Sequence, residues 1–224
     1  MATAARKKGK RGGKRPGAGR PPKGPISSEA HRERPPIDPR HPIHVAIRAR
    51  AGANLRGRDG WLAVRHGLEL ARRRIDFRIC HVSVQPAHIH LIVEADSANG
   101  LARGMQGFQI ACARRFNTLT GGRGRVFEDR YHPEPLVTLR QVRDALAFVL
   151  NHWRRAPDDA TARHRAFDPF ASARAFDGWD GAPERSELEI VPVVMPTTWA
   201  LTIGWRRYGL IPPHERPAPI APKG

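Results

Sequence analysis

Residues 82–94, VSVQPAHIHLIVE, constrain the fold of this chain more than any other stretch. They predict two antiparallel strands joined by a short turn at Pro86 and Ala87. Because side chains alternate between the faces of a strand, His88 and His90 project from the same face. The residues that project from the other face and can be buried are Ile89, Leu91 and Val93. Two imidazoles on one rigid strand, about 7 Å apart at their Cα atoms, can supply two ligands to one divalent metal.

A third ligand for such a metal can come from the segment that follows Thr138. Its apolar residues recur at helical spacing and predict a helix through Arg154. The buried stripe of that helix consists of Val142, Leu146, Val149 and Trp153. Phe148 and His152, four residues apart, share the flank of the stripe, which makes His152 the candidate third ligand. Ordinary exposed or hydrogen-bonded roles are the alternative for all three histidines.

The charge of the chain indicates its partner. Its 224 residues carry 39 Lys+Arg against 21 Asp+Glu, a formal net charge of +18. Such an excess favours a polyanion, either nucleic acid or an anionic membrane surface. No apolar run approaches the roughly 20 residues of a membrane span, and no signal-peptide h-region follows the basic N-terminus, so we expect nucleic acid and no membrane. Two cysteines without C-x-x-C spacing predict no disulfide framework, which fits a cytoplasmic, nucleoid-associated protein.

Three regions of the chain differ in composition. Residues 1–40 hold 12 basic and 3 acidic side chains among glycines and prolines, which predicts a disordered basic tail. Residues 41–155 carry the periodic segments and form the predicted domain. From residue 156 as far as Pro183, Asp, Ala, Pro and Gly dominate, and residues 156–224 are predicted to form an irregular extension. A short helix near 198–208 is expected to dock its tryptophans on the domain.

Within residues 41–155 the order of predicted elements is β-α-β-β-α-β-α. Alternation of apolar and polar residues places the first strand at 43–48. In the second strand this alternation changes phase between Ile79 and Cys80, which predicts a bulge or burial on both faces. The fourth strand is predicted at 126–131.

The second helix has a clear beginning and a clear apolar stripe. Ser97 is the predicted N-cap. The stripe consists of Leu101, Met105, Phe108, Cys112, Phe116 and Leu119. Gly104 and Gly107 each cost the helix about 1 kcal/mol relative to alanine, which predicts close approach of another backbone.

Four sequence blocks in this order resemble the HUH single-tyrosine transposases, a family of insertion-sequence transposases and REP-associated tyrosine transposases. The blocks are residues 85–94 (QPAHIHLIVE), 103–107 (RGMQG), 126–132 (VFEDRYH) and 142–151 (VRDALAFVLN). The resemblance implies an α+β fold of the HUH-endonuclease type. Its ferredoxin-like antiparallel sheet (βαββαβ) has helices on one face and an additional helix that carries the site.

The resemblance also implies a reaction. In this family the two strand histidines bind Mg²⁺ or Mn²⁺. A tyrosine on the last helix attacks a phosphate of single-stranded DNA and forms a 5′-phosphotyrosine, which is later rejoined in DNA transposition and recombination. The third metal ligand lies four residues after that tyrosine, a position held here by His152. Three imidazoles make a nitrogen-rich set, which can shift the preference towards Mn²⁺, Co²⁺ or Zn²⁺.

This chain departs from the family at the nucleophile. The expected tyrosine is replaced by Phe148, which has no oxygen and cannot form the covalent intermediate. Tyr131 is the fallback nucleophile, followed by Tyr208. Activity is therefore left open between a transposase, a decayed or domesticated DNA-binding module without catalysis, and a metal-dependent nuclease that uses water.

Single-stranded or hairpin DNA is the expected partner. The predicted contacts are Arg114, Arg115, Arg123, Arg125, Arg130, Arg143 and Tyr131, with Phe127 or Tyr131 stacking on bases. An RNA-binding basic protein is the alternative, because the same platform can hold single-stranded RNA. Some relatives act as monomers and others as dimers with shared sites, so a homodimer is also left open.

Overall fold

A single four-stranded antiparallel sheet organises the protein. The computed structural model describes residues 36–128, 130–155, 165–181 and 190–218. The strands are β1 (Ile43–Arg48), β2 (Phe77–Val84), β3 (His88–Ala95) and β4 (His132–Pro135), in the order β2-β3-β1-β4. This order confirms the predicted ferredoxin-like α+β fold. The predicted tail lies outside the described residues except for 36–40.

Helices cover both faces of the sheet. They are α1 (Arg58–Ala71), α2 (Ala98–Thr120), α3 (Leu139–Asn151) and the short α4 (Trp199–Thr202). Helices α1 and α2 pack on one face and share a core with Val45 of β1 and Leu91 of β3. Helix α3 packs on the other face, against Ile92. No helix in the described ranges is long and apolar enough to cross a membrane.

The phase change in β2 is a bulge, as the alternation of its residues predicts. Ile79 pairs with Val93 and His81 pairs with Ile92, so Cys80 is an extra residue on its strand. Ile79 therefore packs with α1 and α2, whereas Cys80 turns towards α3. The strand contributes to both cores.

The fourth strand lies later in the sequence than predicted. It runs over His132–Pro135, and among the described residues of 126–131 Phe127 makes an isolated bridge to Ala49 rather than a strand. The sequence of this strand, HPEP, contains two prolines. An edge strand tolerates proline, but such a sequence gives no signal that predicts a strand. The Glu128 amide still donates to the Arg48 carbonyl, and Arg130 lies between Glu128 and β4 in the chain.

The two glycines of α2 have different surroundings from those predicted. A Cβ at Gly104 would lie 2.2 Å from Cγ of Phe77, so the neighbour is an aromatic side chain rather than a backbone. Gly107 has nothing within 4 Å of such a Cβ. The expectation of close backbone approach is therefore wrong at both positions. Ser97 does cap the helix, since its hydroxyl accepts from the Gly100 amide.

Helix α3 lies between the sheet and the described C-terminal segments. Thr138 and Gln141 form a capping box at its first turn, and a 3₁₀ turn (His152–Arg155) follows Asn151. Its outer side is covered by apolar residues from the C-terminal part of the chain: Phe167, Ala171, Phe176, Trp179, Leu201, Trp205 and Ile211. This cover fixes the helix, and with it the side chains at its C-terminal end. The division of the chain at residues 40 and 155 stays a prediction.

The segment predicted as a short helix near 198–208 consists of α4 followed by a 3₁₀ helix (Gly204–Tyr208). Trp205 is buried against α3, but Trp199 is 52% exposed. Only one of the two tryptophans therefore docks on the α3 core.

Candidate metal centre

Three histidines from two elements converge on one point. His88 and His90 project from β3 towards α3, and His152 reaches them from the 3₁₀ turn at the end of that helix. One ring nitrogen of each lies within 4.8 Å of the others. When a tetrahedral zinc ion is bound at the usual Zn–N length of about 2.0–2.1 Å, its ligand nitrogens are about 3.4 Å apart. Ring rotations that move each nitrogen by on the order of 1 Å would therefore bring the three nitrogens around one metal.

The protonation state of the cluster suits a metal. Burial is the main cause that lowers the pKa of each ring, to about 2 for His90 and about 4 for His152. The pKa of His88 is lowered too, by burial and then by the Arg48 charge. Neutral imidazole is the form that binds metal, so no proton has to be displaced near neutral pH.

One buried nitrogen of the cluster lacks a hydrogen-bond partner in the part of the chain that the structure describes, and a metal ion could bind it. Nδ1 of His152 is buried and has no hydrogen-bond partner among the described residues. Buried polar atoms are normally paired, and such an exception calls for a reason. A divalent ion shared with His88 and His90 would explain why Nδ1 of His152 lacks a hydrogen-bond partner within the described ranges. Three histidines are also the ligand set of some catalytic zinc sites.

Phe148 packs directly on the cluster. Its ring meets His152 and His90 edge-on, with centroids 4.8 Å and 4.9 Å apart. The side chain is 5% exposed, and the Arg155 guanidinium lies over its ring, 5.5 Å from the centroid. The position predicted for the family's nucleophile is thus beside the candidate metal centre, but it carries no oxygen.

A fourth histidine, missed at the level of sequence, belongs to the same group. His44 on β1 is buried, and its Nε2 lies 3.1 Å from Nδ1 of His90. The two rings are nearly parallel, with 13° between their planes and centroids 5.2 Å apart. Alternation along β1 puts His44 on the face opposite Ile43 and Val45, which is the available signal, but the pairing register that brings it to His90 cannot be read from the sequence.

A groove of about 370 Å³ opens beside the cluster. In register, Ala46 of β1 stands between His90 and His132, and its small side chain leaves room above the sheet. The charged groups that line the groove are Arg48, Glu128 and Arg130. Of the predicted DNA-contacting arginines, Arg130 is the one that lines this groove.

The other predicted contact residues lie elsewhere. Arg114 and Arg115 are exposed on α2, across the sheet from α3, and Arg123 and Arg125 are exposed in the segment that follows. Arg143 makes a paired salt bridge to Glu215. Tyr131 is 6% exposed and packs in the core with α1 and α2. The fold therefore brings Arg130 beside the histidines and does not bring Arg114, Arg115, Arg143 or Tyr131 to their groove.

Comparison by sequence finds no matching protein-family model and no matching curated protein. Comparison by structure finds a REP-associated tyrosine transposase bound to a REP hairpin. The likeness has a TM-score of 0.52 at 13% identity and covers 75% of this chain and 99% of the other. It shows that this chain has the same fold as that transposase.

Proposed function

We propose that this protein is a transposase-like DNA-binding protein of the HUH type. It binds single-stranded or hairpin DNA at a divalent metal held by His88, His90 and His152. The convergence of these three imidazoles within 4.8 Å carries the proposal. The likeness of its fold to a transposase bound to a DNA hairpin supports the choice of DNA.

The charge of the centre favours a phosphate. Imidazole ligands are neutral, so a bound divalent ion keeps its double positive charge and can polarise a phosphoryl oxygen. Arg48 and Arg155 add positive charge, since they help to lower the pKa of His88 and of His90 and His152, respectively. A backbone phosphate beside the ion is thus stabilised from several sides.

The groove gives the DNA backbone a path towards the ion. Arg48 and Arg130 line it next to His88 and His90, so we assign them the phosphate contacts nearest the metal. Arg114, Arg115, Arg123 and Arg125 are exposed and can add outer contacts on a longer DNA. Arg143 and Tyr131 are left out, because the first is held by Glu215 and the second is buried.

Phe148 limits the chemistry. Cleavage through a 5′-phosphotyrosine needs a phenolic oxygen, and a phenyl ring has none. We therefore propose that the protein recognises DNA at its metal centre without forming the covalent intermediate. In this reading the catalytic fold serves as a binding module.

The test is binding of fluorescent hairpin and single-stranded DNA by the full chain, over a range of salt concentrations with Mn²⁺ present. We expect Arg130→Ala to weaken DNA binding. The slope of the logarithm of the binding constant against the logarithm of the salt concentration should become less steep by about one. Arg72→Ala is the matched control, since Arg72 is exposed at the end of α1 on the far side of the sheet. Equal effects of the two changes, or tighter binding to the same hairpin made of RNA, would overturn the proposal.

A further inference from the structure

The contact between His44 and His90 has a chemical consequence. Their nitrogens are 3.1 Å apart, a hydrogen-bond distance, so one ring donates and the other accepts. A neutral imidazole has one N–H and one lone pair. If His44 donates, the proton of His90 must sit on Nε2, and His90 then has no lone pair for a metal. If His90 donates from Nδ1, its Nε2 lone pair is available.

We propose that His44 is a positioning residue of the metal centre. Its Nε2 accepts a hydrogen bond from the Nδ1–H of His90 and so keeps the Nε2 lone pair of His90 directed at the ion shared with His88 and His152. This inference rests on the metal site proposed above. It adds a residue that does not touch the metal but sets the tautomer and the orientation of one that does.

The surroundings of His44 suit this role. It is the second residue of β1, between Ile43 and Val45, which are both buried on the far face of the sheet. On its own face its ring lies nearly perpendicular to that of Phe148, with centroids 5.8 Å apart. Backbone pairing on both sides of β1 and this ring contact hold His44 in place, so the direction of its Nε2 is fixed by the fold.

An imidazole in this position differs from the usual partner of a metal-bound histidine. Most such histidines donate to a carboxylate or a backbone carbonyl. A carboxylate would place a negative charge next to the ligands and offset part of the charge of the ion. A neutral acceptor fixes the tautomer and leaves that charge for the phosphate, which agrees with a centre built to hold an anion.

Two substitutions separate positioning from packing. His44→Phe keeps a flat ring of similar size but removes the acceptor, whereas His44→Gln places a side-chain oxygen near the position of Nε2. If His44 positions His90, we expect His44→Phe to weaken Mn²⁺ and Zn²⁺ binding about 10–100-fold and His44→Gln to restore most of it. If His44 only packs, the order is reversed, because Phe preserves the ring contacts and Gln does not.

The measurements are calorimetric titration of the full chain with Mn²⁺ or Zn²⁺ alone, and the tautomer of His90 by ¹⁵N NMR of the wild-type protein. His81→Phe is the matched control, because His81 is also a buried strand histidine but lies outside the cluster, and its change should leave metal affinity unaltered. A wild-type chain that binds neither metal would refute the metal centre itself. A wild-type chain that binds metal, with equal affinity for all His44 variants or with the proton of His90 on Nε2, would refute only the positioning role.

Discussion

The ring of Phe148 lies edge-on against the ring of His152, one helical turn away, with 4.8 Å between their centroids. The position expected for a nucleophile and a ligand of the candidate metal centre are therefore in contact. Three histidines that could hold a metal lie together, whereas the position expected for the nucleophile has no oxygen.

The first prediction concerns this position. Phe148→Tyr supplies a phenolic oxygen beside His90 and His152, so we expect the variant to form a denaturant-resistant adduct with single-stranded DNA in the presence of Mn²⁺. The wild-type chain should form none, and His90→Ala in the tyrosine background should abolish the adduct. Denaturing gel electrophoresis of labelled DNA measures it. An adduct on the wild-type chain would refute the assignment of Phe148, and none on the variant would indicate that the surrounding site has also changed.

The second prediction tests the ligand set. His152→Ala removes one of three ligands, and we expect the affinity for Mn²⁺ or Zn²⁺ to fall by more than the 10–100-fold typical of outer-shell changes. His132→Ala is the control, since His132 lines the neighbouring groove but is not in the cluster. Calorimetric titration with Mn²⁺ or Zn²⁺ measures the metal affinity of both variants. Similar losses would mean that the metal lies in the groove rather than between the three rings.

Local sequence patterns predict many features of this structure. Strict alternation predicts β3 and the shared face of His88 and His90, and the phase change in β2 marks the bulge at Cys80. A serine before an apolar helical stripe predicts the start of α2. Each of these features depends on neighbours within a few residues, so the sequence is sufficient for them.

The features that were missed depend on distant pairings. The contact of His44 with His90 follows from strand register, and the ion pair of Arg143 with Glu215 joins residues 72 positions apart. The edge strand at His132–Pro135 has no pattern of its own and forms because β1 offers it a free edge. No local signal encodes such relationships, so the pairing of Arg143 with Glu215 is not predictable from the sequence.

The third prediction uses the two glycines of α2. Alanine at Gly104 would press against the buried ring of Phe77, and we expect it to destabilise the fold by about 1–3 kcal/mol. Alanine at Gly107 meets open space and should stabilise the helix by about 1 kcal/mol. Urea unfolding of the two variants, three residues apart on one helix, measures both effects. Equal shifts would contradict the packing of Phe77 against α2.

The last prediction concerns pH and His81, which is buried in β2 within reach of the Ser172 hydroxyl. Burial lowers the pKa of His81 from 6.5 to about 4, against a smaller opposing effect of Asp177. As the pH falls below 6.5, His81 takes up a proton in the unfolded chain before it does so in the folded chain. The contribution of neutral His81 to the free energy of unfolding is therefore complete above pH 6.5 and decreases as the pH falls to about 4. The loss is on the order of 3 kcal/mol for this one group. We expect His81→Gln, unfolded by urea with a chelator present, to lose less stability than the wild type between pH 7 and pH 4.5. An identical pH dependence of the two proteins would mean that His81 takes up its proton in the folded state as readily as in the unfolded one.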